Sequence, residues 1–100
     1  MVNNSVHIIT KKRIVEAKVR YRDCTSALDA WYRIIDKNNF SNFAELKRTF
    51  NSVDKVGNLY IFDIGGNKLR LIASIHFNRQ KLYIRSILAH KEYDSAKWRN

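Results

Sequence analysis

The spacing of apolar positions changes once along this chain. Before about residue 50 it is mostly helical, and from Leu59 to Leu88 it has a period of two. The opening "VHIIT" (6–10) is β-branched and predicts a short strand. "KKRIVEAKVRYR" predicts a helix, with Ile14, Ala17 and Tyr21 at helical spacing and Val15 and Val19 beside them. A second helix follows, with the stripe Leu28, Trp31 and Ile35 widened by Ala27, Ala30 and Ile34. Thr25 and Ser26 are its expected caps, Ser26 with Asp29 resembling a capping box, and Trp31 is expected in the core. "FSNFAELKRTF" reads as a third, shorter helix, with Ser41 or Asn42 as cap and Phe43, Leu46 and Phe50 on one face.

Two turn signals, Gly65-Gly66-Asn67 and Asn78-Arg79-Gln80, divide the remaining β-branched and aromatic run into three strands. The expected fold is α+β: an N-terminal strand and two to three helices packed on one face of a mainly antiparallel, three- to four-stranded sheet. The chain has no proline and no low-complexity linker, so residues 1–100 are expected to form one domain.

Strand parity sorts the side chains by face. Leu69, Leu71, Ala73, Ile75 and Phe77 are all apolar and should meet the helices, whereas Lys68, Arg70, Ile72, Ser74 and His76 alternate with them. On the last strand Leu82, Ile84 and Leu88 should join the apolar side, with Lys81, Tyr83 and Arg85 opposite. Lys68, Arg70, Tyr83 and Arg85 would then share one face. Cations on neighbouring strands repel, and between Leu59 and Leu88 the only acid is Asp63. A phosphate backbone would supply the missing counter-charge, because Arg offers phosphate a bidentate fork.

Charge strengthens that reading. Lys and Arg number 19 against 9 Asp and Glu, a net +10 that favours polyanionic partners. Nucleic acid is the first candidate and an anionic membrane surface the second. No apolar run is long enough for a membrane span, "MVNNSVHIIT" lacks a signal-peptide core, and the single Cys24 suits a reducing compartment; a cytoplasmic protein is expected. "DIGGNK" lacks the context of a phosphate-binding loop, the three histidines are scattered, and no metal-ligand spacing or aromatic RNA-recognition pattern appears, so no cofactor and no metal are expected.

RNA can be cleaved through its own 2′-OH, given a base, cations for the phosphorane and an acid for the leaving 5′-oxygen. His90, Tyr93, Lys68, Arg70 and Arg85 are side chains of the required types. By themselves these residues carry the reading only to a basic α+β nucleic-acid binder.

"ALDAWYRIID", "FAELKRTFNSVDKVGN", "FDIGGNKLRLIASIHF" and "YIRSILAHKEYD" occur in an order, from about residue 5 to 94, that resembles the HigB family of toxins from bacterial type II toxin–antitoxin modules, within the RelE-like group. The combination F-x-I-x-G-N-K-x-R-L, Y-I-R and H-x-E-Y-D is more specific than any one piece. The resemblance implies a RelE-like fold and a ribosome-dependent, metal-independent mRNA endonuclease. It also implies a HigA-like helix-turn-helix antitoxin, through which the toxin meets operator DNA. Carried over by position, it implies His90 for acid–base work, Arg70 and Arg85 for phosphate stabilisation, Lys68 for binding or charge stabilisation, and Tyr93 for stacking or proton transfer. Lys81, Tyr83, His76 and Lys91 are expected RNA-binding residues, with His76 a rival to His90 for the proton. The ending "SAKWRN", with Trp98, departs from the family pattern by being basic. A non-catalytic basic module, an inactivated regulatory toxin, and a face made only for an acidic protein are the competing readings.

Overall fold

A computed structural model describes residues 6–66 and 68–95. Asn67 of the first expected turn and Trp98 of the basic ending lie outside them. In chain order the elements are β1 (His7–Ile8), α1 (Lys11–Arg20), α2 (Thr25–Lys37), α3 (Phe43–Thr49), β2 (Asp54–Val56), β3 (Leu59–Ile64), β4 (Leu69–His76), β5 (Lys81–Ala89) and α4 (His90–Asp94). The sheet has the order β1-β5-β4-β3-β2, with β1 parallel to β5 and every other pairing antiparallel.

The α+β class agrees with expectation, but the sheet has five strands instead of three to four. The additional strand is β2, which turns into β3 through Gly57-Asn58 with Gly57 at φ +61°. Gly-Asn between two short runs is a hairpin signal, and it was readable in the sequence. The caps also differ. No side chain caps α2, and the Thr25 hydroxyl instead donates to Arg22 O at 2.9 Å. At α3, Asn42 accepts from Glu45 N–H at 3.0 Å, while Glu45 accepts from Ser41 N–H at 2.7 Å.

Helices α1, α2 and α3 cover one face of the sheet, burying Ile14, Leu28, Ile35 and Leu46 against Leu69, Leu71, Leu82 and Ile84. Trp31 is buried as expected and meets Phe62 edge-on, with ring centroids 5.4 Å apart. Burying a side chain of this size contributes about 1.5–3 kcal/mol, so the layer is held chiefly by apolar contact.

Two irregularities set the other face. The expected Asn78-Arg79-Gln80 turn is a short 3-10 segment over 77–79, ending with Gln80 at φ 52°. That left-handed backbone costs roughly 1–2 kcal/mol, and local bonds offset it. Gln80 accepts from Phe40 N–H (3.1 Å) and donates to Phe40 O (2.6 Å) and Phe77 O (2.7 Å), while its carbonyl accepts from His7 N–H (2.7 Å). The second irregularity is a bulge. Ile72 pairs with Ser86 and Ala73 with Ile84, which leaves Arg85 as the additional residue of β5.

Because side chains alternate, one inserted residue swaps the faces of everything after it. Ile87 therefore packs on the core, whereas Leu88, expected there, pairs with Arg70 on the opposite face. Thr10 pins the backbone beside the bulge: its hydroxyl donates to Ile84 O (3.1 Å) and accepts from Ile84 N–H (2.6 Å). The outer face carries Asp63, Arg70, Ser74, His76, Lys81 and Tyr83, with the buried pair Ile61 and Ile72 between its two polar ends.

Candidate active site

At one end of this face, α4 follows β5 directly and is fastened at its first turn. His90 N–H donates to Lys68 O (3.1 Å), and Ala89 N–H donates to Glu92 Oε1 (3.0 Å). The same carboxylate accepts from the Tyr21 hydroxyl (3.1 Å) and lies 3.5 Å from Arg20, so the end of α1 holds the start of α4. The backbone bond from Ala89 is the main reason that the Glu92 carboxyl titrates below its ordinary range. Burial, then the bond to Glu92, raises the Tyr21 phenol.

Helix α4 presents two of the expected site residues. His90 Nε2 lies 3.2 Å from Asp94 Oδ2, one helical turn on, and the imidazole is half exposed. Tyr93 places its ring over Arg70, with the guanidinium carbon 5.6 Å from the centroid. Arg70 Nε also meets Asp63 Oδ1 across the β3–β4 ladder at 3.1 Å, and only 11% of its side chain is exposed. The isolated acid of the meander is thus the partner of Arg70. Two contacts on one planar cation fix its orientation without a ligand.

Toward the other end, Thr10, Arg13, Ser74, His76, Tyr83, Ile84 and Arg85 line a groove of about 370 Å³ between α1 and the β4–β5 hairpin. His76 and Tyr83 meet edge-on across the ladder, with centroids 5.5 Å apart and planes at 85°. Lys81 pairs with His76 in register. Arg85 is exposed, and among the described residues it has no ion-pair partner.

The structure therefore divides the expected cluster. It joins Arg70 and Tyr93 beside α4, which also bears His90 and exposed Lys91, and it collects Arg85, His76 and Tyr83 in the groove, with Lys81 adjoining. Lys68 joins neither group. It precedes β4, and its ammonium sits 2.9 Å from Asp23 Oδ2, ahead of α2. The pair raises the Lys68 pKa and lowers that of Asp23. The expectation that Lys68 shares a face with Arg70 is corrected by this contact.

Sequence reading passed over Asp63 as a partner, Glu92 and Tyr21 as the fastening of α4, and Arg13 and Thr10 in the groove. Glu92 stands three residues after the α4 cap, but with Ala89 there the sequence lacks the Ser or Thr of a capping box that would have marked it. Arg13 carries no such signal, because only the docking of α1 against β5 brings it there. Among the described residues, no three His, Cys, Asp or Glu side chains are grouped to hold a metal ion, and no helix is long and apolar enough to cross a membrane. What the face assembles is cationic charge, two imidazoles and two phenols, the groups that proton transfer and anion stabilisation require.

Comparison with known proteins agrees with this chemistry. A family model described as HigB_toxin, the RelE-like toxic component of a toxin–antitoxin system, matches residues 24–96. The mRNA interferase toxin HigB of Escherichia coli K12 is 39% identical over 92 residues, covering 89% of this chain and 88% of its own length. The mRNA interferase HigB of Shigella flexneri matches equally, and that of Escherichia coli O6:H1 is 35% identical over 92 residues, with 89% of each chain covered. With residues 24–96 inside the family model and nine-tenths of the chain aligned to those relatives, this chain belongs to the HigB toxin family.

Proposed function

We propose that this chain is the toxin of a type II toxin–antitoxin module, an mRNA endonuclease that acts on the ribosome and uses the message's own 2′-OH as nucleophile. The observation that carries the reading is the placement of Arg70 against Tyr93 of α4, the helix whose first residue is His90. A pre-oriented cation beside two proton carriers suits a reaction that builds negative charge on phosphorus.

In this mechanism His90, held by Asp94, moves a proton between the 2′-OH or the leaving 5′-oxygen and solvent. Arg70 stabilises the phosphorane oxygens, and Tyr93 stacks on a base or relays a proton. Arg85, expected to share the first task but standing in the groove with His76 and Tyr83, holds a neighbouring phosphate of the strand. Lys68 contributes charge from the margin, while Lys81, Tyr83, His76 and Lys91 bind the RNA strand. No step calls for a cofactor or a metal. The relatives' names, each an mRNA interferase HigB, support the substrate and the reaction class.

The family is one of toxin–antitoxin systems, so an antitoxin is the protein partner. We assign it to the HigA-like, helix-turn-helix class, through which the toxin meets operator DNA. The toxin works in the cytoplasm at the ribosomal A site, and residues 1–100 form one toxin domain. Induced expression tests the reading. Growth arrest with translated mRNAs cut inside their reading frames is expected; normal growth with intact mRNA, while folded protein accumulates, would overturn it.

A further inference from the structure

The groove beside β5 holds two arginines that nothing in the described molecule neutralises. Arg13, in the first turn of α1, and Arg85, at the bulge, both line it, and neither has an ion-pair partner among the described residues. Glu16 stands nearly one turn from Arg13, yet the two form no ion pair. Arg70 and Lys68, by contrast, each have a carboxylate within about 3 Å.

The walls of the groove are built. Thr10 bonds both backbone groups of Ile84 and so ties the start of α1 to the strand position just before the bulge. The Tyr83 ring, backed edge-on by His76, provides an aromatic surface, and Ser74 a hydroxyl. Two guanidinium groups beside an aromatic ring are a combination that binds phosphate and base together in single-stranded nucleic acid. Ser74 lies four residues along β4 from Arg70, roughly 13 Å at strand rise. That separation sets the groove apart from the α4 end.

We infer that Arg13 and Arg85 form a second phosphate subsite, which grips the backbone of the single-stranded RNA away from the scissile phosphate while Tyr83 stacks on the adjoining base. The ligand class is an RNA phosphodiester, and Arg13 is a binding residue of the substrate strand without a part in the chemistry. The inference rests on the endonuclease reading for the identity of the strand, but its test is separable. A single-stranded RNA oligonucleotide with every 2′-OH methylated cannot be cleaved through that group, so binding is measured alone.

Titrating it against the full chain over a series of salt concentrations should give a larger Kd for Arg13→Ala. The slope of log affinity against log salt should be shallower by about 0.7, the value for one lost contact to a single strand. Arg48→Ala removes the same charge from exposed α3 and should leave the slope as in the parent chain. On translated mRNA, Arg13→Ala should raise KM several-fold with kcat retained. An unchanged slope for Arg13→Ala, or an equal change in Arg48→Ala, overturns the subsite. If the parent chain cuts no mRNA while Arg13→Ala still loses its slope, the endonuclease reading fails and the subsite stands. If the parent chain cuts mRNA and Arg13→Ala binds as it does, the subsite alone fails.

Discussion

The two polar ends of the outer face handle positive charge in opposite ways. Beside α4, Arg70 is held between Asp63 and the Tyr93 ring, His90 has Asp94, and Glu92 fastens the helix to α1. In the groove, Arg13 and Arg85 have no ion-pair partner among the described residues. A satisfied cation is oriented before substrate arrives, and its field costs no reorganisation during reaction. An unsatisfied pair is repulsive in the empty protein, and that repulsion is relieved when a phosphate enters. On the proposed reading one end serves chemistry and the other affinity. The observed difference is that Arg70 has an acid opposite it in the ladder, while Arg13 and Arg85 have no ion-pair partner among the described residues.

Substitutions at the two ends should therefore behave differently. The largest effect is expected for the histidines: His90→Gln should lower kcat on translated mRNA by about 10²–10⁴-fold, whereas His76→Gln should act mainly on KM. Single-turnover cleavage on ribosomes measures both, and the reverse pattern would move the proton chemistry to the groove. Arg70→Ala should cost about 10²–10³-fold in kcat, whereas Arg85→Ala should act mainly on KM. Only Arg70→Ala should also lower the Tm, because it leaves Asp63 partly buried and unpaired, at a cost of about 1–3 kcal/mol. Equal Tm losses in thermal melts would erase the distinction between the ends.

Fastening comes next in size. Glu92→Ala should reduce kcat by about 10–100-fold by loosening α4, since small misplacements of a reacting group are costly. Its charge gives a pH signature. The folded carboxyl titrates below its ordinary 4.5, so the unfolded chain binds more protons as the solution is acidified. The stabilisation from Glu92 is present above the unfolded pKa and is lost as pH falls through the folded value. Melting from pH 7 to 3 should then show a smaller acid loss of Tm in Glu92→Gln than in the parent chain. The smallest change is expected for Asp23→Asn, whose pair with Lys68 is exposed. The Tm should stay within error in physiological salt, and a clear drop would mean that Lys68 is anchored more firmly than its surroundings suggest.

The chain alone determined a good deal. Helical spacing located α1, α2 and α3, alternation located β3, β4 and β5, and the motifs through "AHKEYD" identified the family. Those features are local, so period and residue type suffice to reveal them. The +10 balance and the scarcity of acids in the meander likewise point to a polyanionic partner from sequence alone.

Tertiary structure decided the rest. Parity placed Leu88 with the core and Lys68 beside Arg70, but a single inserted residue at Arg85 turned Leu88 outward, and Lys68 found Asp23. A bulge changes the backbone by one residue without changing the apolar pattern, so counting along the chain cannot detect it. Pairings such as Arg70 with Asp63, Glu92 with Tyr21 and Arg13 with the groove of Arg85 join residues from different elements. Charge and proton-carrying groups were therefore written in the sequence. Which of them are neutralised, and which stay open to an anion, followed from strand register and helix docking, because opposing charges interact strongly only at contact distance.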